Sequence, residues 1–258
     1  MPPELTATWI VRNAPNEAAA LRLFCLPYSG GSASVFRQWQ RLLSIPELEV
    51  CAIQLPGREQ RFQERPFFHM HELIPALGEA ILPLLDRPFV LFGHSLGALI
   101  AFCLSRWLRS EQRRMPRLLM VSGRAAPQVG LRRPPVHHLP DAAFIQELAY
   151  YGATPKAVLD DPELRELFLP MLRADFSLFE TYTHKEEPPL PCPIVACTGE
   201  SDHAVLRADV ESWRVQTAST FTLHTFDGGH FFLNTASAAL LQILAGELRA
   251  LLAAPSSP

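Results

Sequence analysis

Residues 87–108 read RPFVLFGHSLGALIAFCLSRWL: an apolar run, a serine between two glycines, and a second apolar run. The first run, Phe89–Phe92, has the length and composition of a buried strand, and the second predicts an apolar helix. A strand that turns sharply into a helix strains the backbone at the turn and brings other chain close, so Gly93 and Gly97 must be small. Ser95 would stand exposed at this turn, where free N–H groups of the helix N-terminus point towards it.

Apolar runs elsewhere repeat this alternation of strand and helix. Further strands are predicted at Leu21–Leu26, Val50–Leu55, Leu118–Val121, Ile194–Cys197 and, from a weaker pattern, Phe221–Phe226, with Ala7–Val11 as an outer strand. Helices are predicted at His71–Leu85, Leu96–Leu108, Val205–Val215 and Ala236–Leu252. Such alternation is typical of an α/β fold, a mostly parallel central sheet flanked by helices on both faces. The chain has 258 residues, 48% of them apolar, which suffices for one core, so we treat residues 1–258 as a single domain.

One segment, about residues 123–191, breaks the alternation. It opens with proline-rich loop sequence. Helices are predicted within it at Asp141–Tyr151, Asp161–Ala174 and Phe176–Tyr182. Asp141 and Asp161 are candidate N-caps of the first two helices. Because ligands of open α/β sheets bind at the carboxyl edge of the strands, we interpret the segment as a helical lid insertion rather than as a subdomain without function.

Candidate partners for Ser95 lie further along the chain. A serine hydroxyl is a weak nucleophile at neutral pH, so it needs a base, and the base needs an orienting carboxylate. With this type of serine turn, the acid and then the histidine follow in chain order. Asp202 follows the strand Ile194–Cys197, and His230 follows the strand Phe221–Phe226. All three residues therefore follow strand ends at one edge of the sheet, and we predict that they form a catalytic triad.

Other acids and histidines compete for these two roles. Glu200 lies nearer its strand end and remains an alternative acid if Asp202 points away, whereas Asp227 is better explained as a turn residue. His94 lies inside the serine turn, with its side chain expected to point away from the serine. The other histidines considered are His203, His224, His137 and His138. The glycine-rich turn after a strand favours His230 as the base.

Two backbone N–H groups are candidates for an oxyanion hole. One belongs to Leu96, the residue after the candidate nucleophile. The other belongs to Ser29, in the loop Pro27-Tyr28-Ser29-Gly30-Gly31 that follows the strand Leu21–Leu26. Glycines in this loop let the backbone approach a developing oxyanion closely, although a flexible turn would also explain them.

Composition excludes several classes of function. The net charge of −3 lacks the basic excess that is typical of nucleic-acid-binding proteins. We find no signal peptide and no transmembrane run, so we expect a cytoplasmic protein without membrane association.

The five cysteines lie mostly in apolar runs, as buried thiols of a reducing compartment do. Cys192 and Cys197 lack the second cysteine pair of a metal site, and we predict neither a metal nor a cofactor.

Several longer stretches resemble the type II thioesterases that accompany non-ribosomal peptide and polyketide synthases. The stretches are LFCLPYSGGSASVFRQW, LPGRE, FVLFGHSLGALIAF, YGATP, LPMLRADFSLFETY, CTGESD and GGHFFL. The serine turn is generic to the α/β-hydrolase fold, whereas LPGRE and LRADF together are more specific to this family. The resemblance places the family's triad on Ser95, Asp202 and His230, and its oxyanion donors on Ser29 and Leu96.

The resemblance implies hydrolysis of acyl thioesters on the phosphopantetheine arm of an acyl or peptidyl carrier protein. Its role would be the removal of stalled or aberrant acyl groups during antibiotic biosynthesis, by an enzyme that is monomeric and needs no cofactor of its own. Related enzymes release medium-chain fatty acids from fatty-acid synthase, which is the alternative function. A small-molecule esterase, an acyltransferase and a non-catalytic binding module on the same scaffold are further alternatives.

Two expectations concern how such a carrier would be bound. Because carrier proteins are usually acidic, a basic face would suit docking. The candidates are Arg58, Arg61, Arg65, Arg132 and Arg133. Arg58, in LPGRE, could equally have a structural role. Apolar residues of the insertion would line an acyl pocket or, in most cases, pack its helices together. These residues are Phe144, Leu148, Phe168, Phe176 and Phe179.

Overall fold

The structure is a computed structural model that describes residues 9–151 and 160–254. Its strands are β1 (Ile10–Val11), β2 (Leu21–Leu26), β3 (Leu48–Ile53), β4 (Phe89–His94), β5 (Leu118–Ser122), β6 (Ile194–Gly199) and β7 (Phe221–Phe226). They form one seven-stranded sheet in the order β1-β3-β2-β4-β5-β6-β7. The strand β1 pairs antiparallel with β3, and all other neighbours are parallel. The predicted α/β fold with a mostly parallel sheet is confirmed.

Strand positions follow the apolar runs, with one shift. The third strand begins two residues earlier than the predicted Val50–Leu55, because Leu48 and Glu49 pair with the start of β2. Glu49 is a buried carboxylate that accepts a hydrogen bond from Arg22 Nε over 2.6 Å. Because Glu49 is charged, the hydrophobic pattern did not predict the first two residues of this buried strand.

Alternate residues of the strands point to opposite faces of the sheet and enter two separate apolar clusters. On β2, Phe24 and Leu26 belong to one cluster, while Leu23 and Cys25 belong to the other. Five strands, β2 to β6, are buried along their whole length. This double burial explains why these strands appear in the sequence as continuous apolar runs.

Helices cover both faces. They are α1 (Trp39–Leu43), α2 (Met70–Ile81), α3 (Leu96–Ser110), α4 (Asp141–Tyr151), α5 (Pro162–Glu180), α6 (Arg207–Glu211), α7 (Phe232–Thr235) and α8 (Ser237–Ala253). The first apolar cluster contains residues of α2 and α3, and the second contains residues of α1 and α8. No helix in the described ranges is long and apolar enough to cross a membrane.

Two predicted helices are shorter than expected. The helix predicted at His71–Leu85 ends at Ile81 and continues as a 3-10 turn, Leu82–Leu84. The helix predicted at Val205–Val215 is the short α6, followed by a 3-10 turn at Ser212–Gln216. Helix boundaries are the least certain part of a sequence pattern, because terminal turns readily become 3-10.

The segment between β5 and β6 carries helices α4 and α5. Asp161 is the N-cap of α5, as predicted, and accepts hydrogen bonds from Glu163 N and Leu164 N. The prediction for Asp141 was wrong: it lies in the first turn of α4, where its carboxylate binds Arg173 over 2.5 Å. The two helices predicted at Asp161–Ala174 and Phe176–Tyr182 form the single helix α5.

These helices have a small apolar core of their own, which we call the insertion cluster. It consists of Val136, Phe144, Leu148, Leu169, Met171, Leu172 and Phe176. Phe168 and Phe179 pack against it from partly buried positions. The predicted packing role of the aromatic residues is therefore confirmed. The YGATP stretch lies outside the described residues after Tyr151.

Between β2 and β4, the connections that leave the carboxyl ends of the two strands run in opposite directions along the sheet. From β2 the chain moves outward to β3, and it then returns to β4 on the other side of β2. The loops after β2 and β4 therefore diverge and leave a crevice between them. Ligands of open parallel sheets bind at such a switch point.

Candidate active site

Ser95 stands in the turn between β4 and α3. Its φ of 54° and ψ of −115° are values that residues other than glycine rarely adopt. Its N–H donates to Ser122 O over 2.7 Å, which ties the turn to the next strand. A Cβ at Gly93 would clash with the backbone of Gly97, and a Cβ at Gly97 would clash with Leu26 O. Both glycines are thus required by the close approach of other chain segments.

The structure brings the three predicted triad residues together. His230 Nε2 lies 3.0 Å from Ser95 Oγ, and His230 Nδ1 lies 2.8 Å from Asp202 Oδ2. With a proton on Nδ1, that nitrogen donates to the carboxylate and leaves Nε2 free to accept from the serine hydroxyl. This arrangement can transfer the serine proton to the imidazole.

The carboxylate of Asp202 is held on both of its oxygens. The Oδ1 atom accepts hydrogen bonds from Ala204 N over 2.9 Å and Val205 N over 3.0 Å, which leaves Oδ2 for the histidine. Its side chain has no exposed surface. The competing acids, Glu200 and Asp227, are both exposed. Of the three, Asp202 is the acid that contacts His230.

Most competing histidines have other surroundings. His224 lies on β7, and His137 Nδ1 lies 2.6 Å from Glu180 Oε2. His203 is exposed and lines the same pocket as Ser95, without a place in the hydrogen-bonded chain.

His94 is fully buried under the site. Its Nδ1 lies 2.9 Å from Ser122 Oγ, and its ring centroid is 5.4 Å from that of His230. Burial, reinforced by the neighbouring His230, lowers the pKa of His94 well below its ordinary value. The imidazole of His94 is therefore neutral at physiological pH, and it places no positive charge beside His230.

The two candidate oxyanion donors lie on segments that follow two adjacent strands, β2 and β4. Leu96 N is the first amide of α3, and Ser29 lies, buried, in the loop after β2. In the part of the chain that the structure describes, neither N–H donates to a protein acceptor. The close contact of Gly97 with Leu26 O draws the start of α3 against the end of β2, so the two donors lie on adjoining segments.

A pocket of about 120 Å³ opens at Ser95 and His230. Phe179 of α5 and Arg124 form part of its wall, with the guanidinium 5.0 Å from the centre of the aromatic ring. The insertion thus supplies part of the pocket, and Phe179 is the member of the predicted aromatic set that reaches it.

The five cysteines offer no competing nucleophile. All are free thiols, and four of them are buried. Burial raises the pKa of Cys51 and Cys103 to about 12 and that of Cys192 to about 11. Because the thiolate is the reactive form, these thiols are inert at neutral pH.

Arg58 is structural, which is the alternative that the sequence left open, and the prediction that Arg61 belongs to a basic docking face was wrong. Arg58 is 4% exposed and forms an ion pair with Asp175, while Arg61 is 5% exposed and pairs with Glu64. Asp175 was not among the predicted site residues, although it lies in LRADF, just as Arg58 lies in LPGRE. Its place in one of the two more family-specific stretches was the only signal in the sequence, and that signal does not name its partner.

A family model described as a thioesterase domain matches residues 21–248. The chain belongs to the thioesterase family. The gramicidin S biosynthesis protein GrsT of Aneurinibacillus migulanus is 43% identical to this thioesterase over 245 residues, 95% of each chain. The structure of the type II thioesterase BorB from the borrelidin biosynthetic cluster has a TM-score of 0.83 and 37% identity, covering 93% of this chain and 98% of BorB.

A fatty-acid enzyme is more distant from this thioesterase. The medium-chain S-acyl fatty acid synthase thioesterase of Rattus norvegicus is 30% identical over 222 residues, 84% of this chain and 83% of its own length. Family membership makes the chain an enzyme that acts on thioesters, which excludes the non-catalytic binding module.

Proposed function

We propose that this thioesterase works through a covalent acyl-serine intermediate. Ser95 Oγ attacks the thioester carbonyl while His230 Nε2 takes the hydroxyl proton, and Asp202 stabilises the imidazolium that forms. The hydrogen-bond chain of 3.0 Å and 2.8 Å through His230 is the observation that supports this assignment. The N–H groups of Ser29 and Leu96 hold the carbonyl oxygen as it becomes negative.

Both half-reactions use the same histidine. In the first, the carbon–sulfur bond breaks and the sulfur leaves as a thiol with the proton from His230. In the second, His230 takes a proton from water, the hydroxyl oxygen attacks the acyl carbon, and the proton returns to Ser95 Oγ as the free acid departs. No metal or cofactor of the enzyme takes part in this scheme.

The proposed substrate is an acyl group on the phosphopantetheine arm of an acyl or peptidyl carrier protein in a non-ribosomal peptide or polyketide synthase. The likeness to GrsT and to BorB, at 43% and 37% identity, supports this class over the fatty-acid enzyme at 30%. Of the predicted docking residues, Arg65 is exposed and would be available to an acidic carrier. Arg132 and Arg133 line the active-site pocket but pair with Asp209 and Glu147, so a carrier would compete with these carboxylates. We also propose that the enzyme is a monomer.

Replacement of Ser95 tests the reaction. In Ser95→Ala, hydrolysis of an acetyl-loaded carrier protein should fall by more than about 10³-fold, because the nucleophile is gone. Release of acetate is measured by mass spectrometry of the carrier, and circular dichroism checks that the variant is folded. Ser110→Ala, an exposed serine on α3, is the matched control and should keep wild-type turnover. A folded Ser95→Ala variant with undiminished turnover would overturn the mechanism.

A comparison of different substrates in the same assay distinguishes the alternative functions. Faster hydrolysis of an acetyl or aminoacyl carrier than of a decanoyl carrier supports removal of aberrant groups, and the reverse preference supports medium-chain fatty-acid release. Preference for a nitrophenyl ester over every carrier-bound thioester would indicate a small-molecule esterase. Transfer to an added amine or alcohol in preference to water would indicate an acyltransferase.

A further inference from the structure

A buried ion pair joins helix α5 of the insertion to the chain that follows β3. Asp175 on α5 is 1% exposed, and Arg58 is 4% exposed. Arg58 Nη2 donates to Asp175 Oδ1 over 2.6 Å, and Arg58 Nη1 donates to Asp175 Oδ2 over 3.0 Å. Burying two charges carries a desolvation cost that an apolar pair of the same volume avoids, so stability alone is a weak explanation for such a pair.

Both members of the pair also bind the backbone of the loop after β2. Asp175 Oδ2 accepts a hydrogen bond from Gly30 N over 2.7 Å. Arg58 Nη1 donates to Gly31 O over 2.9 Å. Of the two residues that follow Ser29, Gly30 is thus held through its N–H and Gly31 through its carbonyl oxygen.

These bonds control the direction of the Ser29 N–H. Gly31 N donates to Tyr28 O over 2.8 Å and closes a four-residue turn, in which Gly30 has a φ of +77°. Positive φ at the third position is the mark of a type II turn. Tyr28 O and the Ser29 N–H belong to one planar peptide group, so the bond that holds the oxygen also sets the direction of the N–H.

Helix α5 is packed directly against this turn. A Cβ placed on Gly30 would lie 2.9 Å from Leu172 Cδ2, and Leu172 precedes Asp175 by about one helical turn. A side chain at this position would therefore require the Leu172 side chain to move, which shows how close α5 lies to the loop. Displacement of α5 would remove the Leu172 contact and the Asp175 hydrogen bond together.

We infer that Asp175 and Arg58 are positioning residues that align the Ser29 N–H for the oxyanion only while α5 is seated on the loop. The inference rests on the proposed function, in which that N–H stabilises the oxyanion formed on Ser95. It gives the insertion a role in the reaction itself as well as in covering the pocket. A substrate that seats α5 would complete its own oxyanion hole.

Asp175→Asn is the direct test. It leaves the Arg58 charge unpaired and weakens the acceptor at Gly30 N, so kcat for acyl-thioester hydrolysis should fall by about 10- to 100-fold, short of the roughly 10²–10³ for loss of a whole donor. KM should stay near the wild-type value, because the missing interaction acts only in the transition state. A substrate-like trifluoromethyl ketone, whose adduct with Ser95 carries an oxyanion, should lose affinity by the same factor as kcat.

Two further variants complete the test. Asp141→Asn removes the carboxylate on α4 that pairs with Arg173, which lies on α5 as Asp175 does, and it leaves the loop after β2 untouched. This variant should keep wild-type kcat and inhibitor affinity. Arg58→Lys keeps the positive charge but not the two parallel bonds, and it should show a smaller, parallel loss of both quantities. This variant carries the test if Asp175→Asn does not fold.

Wild-type kcat and inhibitor affinity in folded Asp175→Asn or Arg58→Lys would reduce the ion pair to a structural contact and overturn the inference. Equal losses in Asp141→Asn and Asp175→Asn would do the same, because any disturbance of α5 would then suffice. Failure of the proposed function has a different signature, namely turnover that survives in Ser95→Ala.

Discussion

At Ser95, two properties of one residue depend on different parts of the chain. The strained backbone comes from the local strand-to-helix turn, whose glycine flanks are visible in the sequence. The hydroxyl contacts His230, 135 positions further along the chain, which takes its proton in the proposed mechanism. Chain order and strand-end position were enough to predict this partner, since parallel strands place their carboxyl ends at one edge.

His94 makes the stability of the protein depend on pH. An unfolded histidine takes up a proton as the pH falls through about 6.5, whereas folded His94 stays neutral because burial lowers its pKa. The unfolded state then binds more protons, so the contribution of His94 to the free energy of unfolding falls progressively as the pH drops below about 6.5. His94→Asn abolishes this titration and offers an amide to Ser122.

Urea unfolding of both proteins between pH 8 and pH 5 measures the effect. The stability advantage of the wild type over His94→Asn should shrink as the pH falls. A constant difference across the range would show that His94 is protonated equally in the folded and unfolded states.

At the scale of elements, the serine turn depends on a close approach between α3 and β2. Gly97→Ala should destabilise the protein by about 1–3 kcal/mol or more, since its Cβ would overlap Leu26 O and the strand end cannot move freely. Gly246→Ala is the matched control: this exposed glycine of α8 has no heavy atom near the added Cβ, and the change should stabilise by about 0.5–1 kcal/mol.

Thermal and urea unfolding of the two alanine variants measure these opposite signs. Stabilisation or neutrality in Gly97→Ala would contradict the steric account of the serine turn.

The accuracy of the predicted bounds differed between elements. The strand β7, predicted from a weaker pattern, has the predicted bounds, and so does β2, although β2 contains the buried Arg22. The helix α5 was predicted as two pieces on either side of Asp175. That carboxylate binds Arg58, 117 positions away, so it does not compete for the local backbone and the helix continues.

At the scale of the whole molecule, the insertion cluster is separate from the two clusters of the sheet. Phe144→Ala should remove the ring that packs edge-on against Phe176 at 5.3 Å and loosen α4 and α5, while the sheet stays intact. Hydrogen exchange should become faster in these two helices and remain unchanged in β4 and β5. Phe92→Ala, in the sheet core, is the contrasting variant and should speed exchange throughout.

Unchanged protection of α4 and α5 in Phe144→Ala, or equal acceleration in the sheet, would show that the insertion and the sheet unfold as one unit.

The sequence predicted which residues approach one another along the sheet edge, and it failed for contacts that cross from the insertion to that edge. Chain order supplies a rule for Asp202 and His230. No comparable rule links α5 to the loop after β2, because the path of an insertion is set by its own packing. The Arg58–Asp175 pair therefore became visible only with the fold.

The contact of the insertion with the loop after β2 through the Arg58–Asp175 pair has a practical consequence for protein engineering. Because residues 123–191 enter and leave through neighbouring strands, they form a cassette that could be exchanged between relatives to alter acyl preference. A chimera that transplants a foreign cassette without an acid at position 175 should keep Ser95, Asp202 and His230 in place yet lose about 10- to 100-fold in kcat. Retaining this acid is therefore the design rule for such grafts.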